Sequence, residues 1–412
     1  MEQDWPRKVA LITLHTSPID QPGQGDAGGL NVYVRSLALR LQSRGLAVEL
    51  FTRRTTENQP ATLVLDCGIR IHYLDVGPPE RIPKEDLLAR MGEFVAAMRG
   101  CGSEWDVVHS HYWISGLAGV ALSDVLGIPH VHSPHTLGKV KAATVGLEDE
   151  PADRLASEDA IAAAGTRYIA NTDHEAHELT ELYAVAPERI DVIPPGVDAT
   201  VFHASRRDAA RARSGVDPGV MHIVFAGRIQ PLKGPDVLLR ALGELRRRPP
   251  DIKFHLTITG EQSGSTAMDL PALAEAEGLA GALTFRPPMP PARLAELFRS
   301  ADVVVMPSLA ESFGLVALEA QACGTPVIAS KVGGLQDAVA DGESGYLVPL
   351  GTTASASAGG FALALEKMYD GGPRLWSRLS RGASVQSGKF SWERNAEETV
   401  ASYRRAREGL NR

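Results

Sequence analysis

Three cysteines, Cys67, Cys101 and Cys323, are all that 412 residues contain. Their odd number and scatter exclude a disulfide framework. None has the spacing of a metal-ligand set, so a reducing cytoplasm is the expected setting. No apolar run reaches membrane-spanning length, and the chain enters strand-like sequence at Val9 without a signal-peptide pattern, so no stable membrane insertion is expected. Basic residues are not in excess. A net charge of −8 and a pI near 5.9 argue against a general nucleic-acid binder. Several catalytic signatures are also missing. No G-x-x-x-x-G-K-[ST] loop is present, which counts against an ATPase, and there is no Asp-x-Asp pair and no G-x-S-x-G elbow.

What is present is the composition of a globular protein, 44% apolar and 22% charged, in a chain too long for one core, so two domains are expected. Residues 9–15 are a nearly continuous apolar run of the kind seen in a buried parallel strand. A Gly- and Pro-rich loop follows over 17–29. Then Leu30, Val34, Leu37, Ala38 and Leu41 recur at helical spacing, closed by Gly45. Residues 48–52 form the next strand, completing a βαβ unit. Further strands are predicted at 69–74, 107–111, 130–135, 168–171 and 191–194. The turn formers Pro194, Pro195 and Gly196 mark a boundary, and the Arg/Ala-rich stretch 206–214 reads as a connecting helix. A second series has strands at 222–226, 255–259, 283–286, 303–306, 327–329 and 346–348. Helices fall over 235–248, 291–301 and 314–323, and Ser and Ala at 352–357 read as a loop before a further helix. Two alternating series predict an α/β fold of two doubly wound domains, 1–196 and 197–392.

Ligands in such folds bind outside the carboxyl ends of strands. The stretch 311–319, Glu-Ser-Phe-Gly-Leu-Val-Ala-Leu-Glu, follows a strand and starts a helix near Gly314. Free backbone N–H groups and the positive dipole end there suit a phosphate. Glu311 and Glu319 lie about two helical turns apart, on roughly one side. Arg228 and Lys233 sit five apart in a loop shaped by Pro231 and Gly234, where a planar fork and a point charge suit a diphosphate. The Gly-rich loop 23–31 permits close backbone approach to a ligand and is not read as a dinucleotide fingerprint. His109, His111, His132 and His135 are split between faces by strand alternation, with no Cys or carboxylate to complete a zinc set. His135 at a strand end beside Thr136 is the best candidate for touching substrate, followed by His15. From spacing alone, Lys84, Arg154 and Lys141 are solvated surface charges. Residue by residue, the reading reaches a two-domain α/β protein that holds a phosphorylated, nucleotide-bearing ligand.

The whole chain resembles the retaining GT-B glycosyltransferases of family 4. Residues 311–319 resemble that family's Glu-x7-Glu element, and Arg228 and Lys233 its diphosphate-binding pair. The ending Phe390-Ser391-Trp392 with Ser402-Tyr403-Arg404-Arg405 is also similar. In the first half, residues 15–18, 21–33 and 109–113 resemble the mycothiol-pathway inositol-phosphate N-acetylglucosaminyltransferases. The resemblance implies two Rossmann-like domains facing across a cleft, with a helix over 393–412 returning to the first. It implies UDP-N-acetylglucosamine as donor and 1L-myo-inositol 1-phosphate as acceptor. Gln21, Pro22, Gly29, Arg228, Lys233, Met289 (through its backbone), Glu311, Ser312, Phe313, Gly314, Leu315 and Glu319 are implied to bind the donor. His15, Asp26, Asn31, Lys84, Tyr112, Thr136 and Arg154 are implied to bind the acceptor. The catalytic set is Arg228, Lys233, Glu311 and His135. No cofactor is implied for the chemistry, but a structural magnesium is, at Phe298, Arg299, Ala301 and Thr325; relatives also form dimers.

One stretch departs from that pattern. Residues 132–142, His-Ser-Pro-His-Thr-Leu-Gly-Lys-Val-Lys-Ala, differ from the usual His-Thr-Ala-His-Thr-Leu-Ala-Ala-Val-Lys-Asn, and Leu-Gly-Lys is more similar to sucrose-phosphate synthases. The alternatives to an inositol phosphate are therefore another sugar phosphate, an aminocyclitol or a thiol acceptor. A non-catalytic nucleotide-sugar sensor is the reading from a different class.

Overall fold

Val9, Ala10, Leu11 and Ile12 expose no surface. Successive side chains of a strand point to opposite faces, so this run requires a sheet covered on both. A computed structural model of the chain describes residues 5–143, 151–248, 252–263 and 267–410, apart from the side chains of Lys84 and Glu85. It shows that run as β1 (Lys8–Ile12) of an eight-stranded sheet. The other strands are β2 (Ala47–Arg53), β3 (Thr62–Val64), β4 (Arg70–Leu74), β5 (Val107–His111), β6 (His130–Ser133), β7 (Arg167–Ala170) and β8 (Ile190–Val192). Their order is β3-β4-β2-β1-β5-β6-β7-β8, parallel except for β3, which pairs antiparallel with β4. That short edge strand has no counterpart in the sequence reading, because its three residues are exposed or half-buried and carry no apolar run.

The second sheet has six strands: β9 (Met221–Ala226), β10 (Phe254–Thr259), β11 (Leu283–Arg286), β12 (Val303–Met306), β13 (Val327–Ser330) and β14 (Gly345–Val348). All are parallel, in the order β11-β10-β9-β12-β13-β14. Numbered from its own first strand this is 3-2-1-4-5-6, the Rossmann order, whose reversal between β9 and β12 is where ligands bind. In the first sheet the order reverses between β1 and β5.

The chain groups into two compact units. The first holds Met1–Asp20, Gly29–Pro194 and Trp392–Arg412; the second holds Gln21–Gly28 and Pro195–Ser391. The last helix, Trp392–Leu410, buries Trp392 and Tyr403 in the first unit and donates Asn395 Nδ2 to the Pro194 carbonyl at 2.9 Å. The segment Gln21–Gly28, expected in the first domain, packs with the second instead. A second correction concerns 352–357. The helix Ala354–Ser387 starts inside that stretch because Thr353 caps it, its hydroxyl accepting from Ala356 N–H at 3.1 Å. Among the described residues no helix is long and apolar enough to cross a membrane.

Candidate active site

In the second unit, the functional loops leave the ends of β9, β12 and β13, neighbours at the order reversal. After β9 the chain runs through Arg228 to a single 3-10 turn, Pro231–Lys233, then to Gly234 with φ +64°. A side chain at Gly234 would place its Cβ 2.1 Å from the Pro307 carbonyl oxygen, so only glycine lets this turn close against the end of β12. The turn delivers Lys233 Nζ to Glu311 Oε2 at 2.6 Å, in a partly buried ion pair.

The loop after β12 ends in the helix Leu315–Ala322, whose N-cap, Gly314, has φ +99° and supplies no side-chain cap. No side chain therefore caps the first turn, where Ala317 N–H donates to Gly314 O at 2.9 Å. What fixes this loop was not visible in the sequence reading. Gly333 and Gly334, after β13, lie so close that a Cβ on either would come within 2.2 Å of the Glu311 or Ser312 carbonyl oxygen. Gly334 N–H donates to Glu311 O at 2.9 Å. A glycine doublet just past a strand was the available signal.

Glu319 lies in the second turn of that helix. It keeps some solvent access, yet none of the described residues donates to its carboxylate, and burial alone pushes its pKa up to about 8. The folded state therefore keeps a proton that the unfolded chain releases near 4.5. By linkage this contribution to stability is present at low pH and is lost as pH rises from about 4.5 to 8. Glu319→Gln is expected to flatten that part of the profile. Melting at about pH 5 and about pH 8.5 checks it; an equal gap between variant and parent at both values would contradict it.

The Gln21–Gly28 segment also belongs to this group. Gln21 Nε2 donates to the Met289 carbonyl at 3.0 Å, Gly23 packs on Pro288, and a Cβ on Gly28 would lie 3.6 Å from Arg228 Nε. Gly23, Gly25 and Gly28 do fall at G-x-G-x-x-G spacing. β1 ends at Ile12, however, so they lack the turn directly after a strand that a dinucleotide fingerprint needs. Asp26, expected among acceptor ligands, is exposed on this segment and so groups with the second unit.

In the first unit, β1, β5 and β6 end side by side. Tyr112 and His135 follow β5 and β6 with φ of +75° and +62°, a conformation that costs bulky residues energy and gathers at functional sites. The His15 ring lies 4.6 Å from the Tyr112 ring, and the Arg154 guanidinium lies 5.2 Å from the centre of the same ring. Arg154 is 2% exposed and donates from Nη2 to Thr136 O at 3.1 Å and Thr136 Oγ1 at 3.0 Å. Tyr112, Thr136 and Arg154 are thus brought together. Lys84 opens a 3-10 helix, but its side chain lies outside the described residues. Asn31 is buried, and its amide donates to Thr16 Oγ1 at 2.8 Å and Ser17 O at 2.6 Å, so it holds the loop that carries His15.

The histidines divide by face. His109 and His111 stack at 4.2 Å, and His111 Nδ1 shares a hydrogen bond of 2.9 Å with His135 Nε2. His130 and His132 both bond Ser110 Oγ on the other face. Burial first, then the neighbouring His15, pushes His135 down to about 3, so it works as a neutral imidazole.

A D-inositol 3-phosphate glycosyltransferase of Arthrobacter sp. (strain FB24) is 47% identical over 407 residues, 97% of this chain and 95% of the relative. One of the same name from Paenarthrobacter aurescens (strain TC1) is 47% identical over 98% of this chain and 99% of its own. The family model for glycosyl transferases group 1 matches residues 206–370, and that for a glycosyl transferase 4-like domain matches residues 28–196. The chain belongs to the group 1 glycosyl transferases. Among solved structures, sucrose-phosphate synthase from Thermosynechococcus elongatus superposes on this glycosyltransferase with a TM-score of 0.87 at 31% identity, covering 97% of this chain and 98% of that one. The fold is GT-B, and the glycosyltransferase is an enzyme rather than a sensor.

Proposed function

We propose that this glycosyltransferase moves N-acetylglucosamine from UDP-N-acetylglucosamine to 1L-myo-inositol 1-phosphate (also named 1D-myo-inositol 3-phosphate), with retention of configuration, as the first step of mycothiol biosynthesis in the cytoplasm. The observation that carries the acceptor reading is the buried Arg154 guanidinium beside Tyr112 and Thr136. A cation withdrawn from water and backed by hydrogen-bonding groups is built for an anion such as a phosphate. The names of the relatives support the same acceptor.

In this reading the bond from the anomeric carbon to the diphosphate breaks while the acceptor oxygen bonds the same face. The acceptor's proton passes to the departing diphosphate oxygen. Arg228, Lys233 and the helix start at Ser312, Phe313, Gly314 and Leu315 stabilise the charge that develops there. Glu311 holds sugar hydroxyls and Glu319 the ribose. Gln21, Pro22, Gly29 and the Met289 backbone border the nucleotide sugar, and His135 meets it as a neutral imidazole. His15, with Lys84, Tyr112, Thr136 and Arg154, orients the acceptor hydroxyl. Phe298 O and Thr325 Oγ1 lie 2.7 Å apart at the carbonyl end of the helix Pro291–Ser300. That contact is a hydrogen bond donated by the Thr325 hydroxyl; the negative helix terminus suits a cation, and a magnesium ion would take the place of that bond, held by the Phe298, Arg299 and Ala301 carbonyls and the Thr325 oxygen. Its part is structural.

A second reading, fructose 6-phosphate as acceptor, is favoured by Gly138 and Lys139 and by the sucrose-phosphate synthase likeness. Release of UDP, measured over a matrix of donors and acceptors, decides. The expected result is turnover with inositol phosphate well above fructose 6-phosphate and none with unphosphorylated cyclitols. Activity on the last group alone would overturn the phosphate reading.

A further inference from the structure

We propose that Glu158 is a positioning residue for Arg154, itself held in place by the Gly138–Lys139 segment. The inference rests on the reading of Arg154 as a ligand of the acceptor phosphate.

Arg154 and Glu158 are four apart on the helix Ala152–Ala163, on one face, and are 2% and 6% exposed. Arg154 Nε donates to Glu158 Oε1 at 2.8 Å. With Nε anchored, the guanidinium plane is set and its Nη2 end is directed to Thr136. The other carboxylate oxygen, Oε2, accepts from Gly138 N–H at 2.8 Å and from the Tyr183 hydroxyl. Tyr183 OH in turn accepts from Lys139 N–H at 2.9 Å. Burial, then the Glu158 carboxylate, raises the Tyr183 pKa, so the phenol stays protonated and donates. Three donors on one buried carboxylate hold it in place.

Gly138 is where this arrangement has no slack. A Cβ there would lie 2.8 Å from Leu155 Cδ2, 2.9 Å from Glu158 Oε2 and 3.1 Å from Arg154 Nε. These are ends of side chains, so the fold can yield, but only by displacing the carboxylate and the guanidinium together. Lys139 holds the same segment from its other side. Its Nζ donates to Asp159 Oδ1 at 2.5 Å and to Leu182 O at 2.8 Å, and lies 4.4 Å from the Tyr183 ring centre. Residues 138 and 139, where the chain departs from the related pattern, are therefore the two that bind the Thr136 segment to Glu158 and Tyr183. In this arrangement a phosphate meets an arginine whose Nε side is already paired with Glu158. That favours a small, single anion in a set orientation.

Steady-state kinetics of Glu158→Gln and Arg154→Ala test this. Glu158→Gln is expected to raise the KM for inositol phosphate about tenfold, the loss of one charge-assisted hydrogen bond, with kcat and the donor KM unchanged. In an Arg154→Ala background it adds no further loss. If Arg154→Ala leaves the acceptor KM unchanged, the phosphate reading itself fails. If Arg154→Ala raises it while Glu158→Gln does not, the positioning role fails alone. A rise in donor and acceptor KM together, tracking a lowered melting temperature, would show a merely structural role and also overturn it. Should Glu158→Gln not fold, Glu158→Asp, which keeps the charge and withdraws it by one methylene, carries the test.

Discussion

Arg228→Ala is expected to lower kcat on the order of 10²–10³-fold, with melting and the circular-dichroism spectrum unchanged. Among the described residues the guanidinium makes one hydrogen bond, a long one of 3.4 Å to Ser263 Oγ, and it is only half-buried. Little in the fold depends on it, and substitutions of that kind usually fall within about 0.5 kcal/mol. In the proposed reaction Arg228, after β9 and beside Gly28, meets the diphosphate of the nucleotide sugar. Charge on that group grows as the glycosidic bond breaks, so the lost interaction is one made more strongly in the transition state, and kcat falls rather than KM alone. Arg228→Lys keeps the charge and loses the planar fork, so it is expected to recover part of the rate. A fully active Arg228→Ala enzyme would remove Arg228 from the mechanism.

The central strands were legible because burial on both faces writes itself as unbroken apolar runs. β5 and β12 begin and end where expected, as does the edge strand β11, whose Leu283 and Phe285 mark it although it is only half-buried, and most others differ by a residue or two. The edge strand β3 was not legible, since a strand open to solvent needs no such run. Lys233 and Glu311 could be picked out because each lies in the loop that follows a strand. Arg154 could not. The groups that gather round it, Tyr112 and Thr136, come from the ends of β5 and β6, and nothing local to residue 154 marks it except Glu158 four positions on. The placement of Gln21–Gly28 with the second unit was equally hidden. It depends on the Gln21 amide finding the Met289 carbonyl, 268 residues away, and no periodicity encodes such a contact.

The second large effect is expected at the Lys233–Glu311 pair. Lys233→Met should lower kcat/KM for the donor about 10²–10³-fold, Glu311→Gln by a smaller factor, and the double variant no further than Lys233→Met alone. The pair is 21% and 16% exposed in its side chains, so water screens it and its loss costs the fold far less than that of a fully buried pair. The loop does not rely on it in any case. Gly334 N–H holds the Glu311 carbonyl at 2.9 Å, and Gly234 holds the Lys233 turn against Pro307, whatever the two side chains do. Rate and stability are therefore separable here. If the pair were only a clasp, activity in the three variants would follow their melting temperatures. If it keeps a cation and a carboxylate poised for diphosphate and sugar, melting stays constant while the rate collapses. The non-additive double variant then shows that the two side chains act as one unit, because a Glu311 without Lys233 beside it faces a donor that is no longer held.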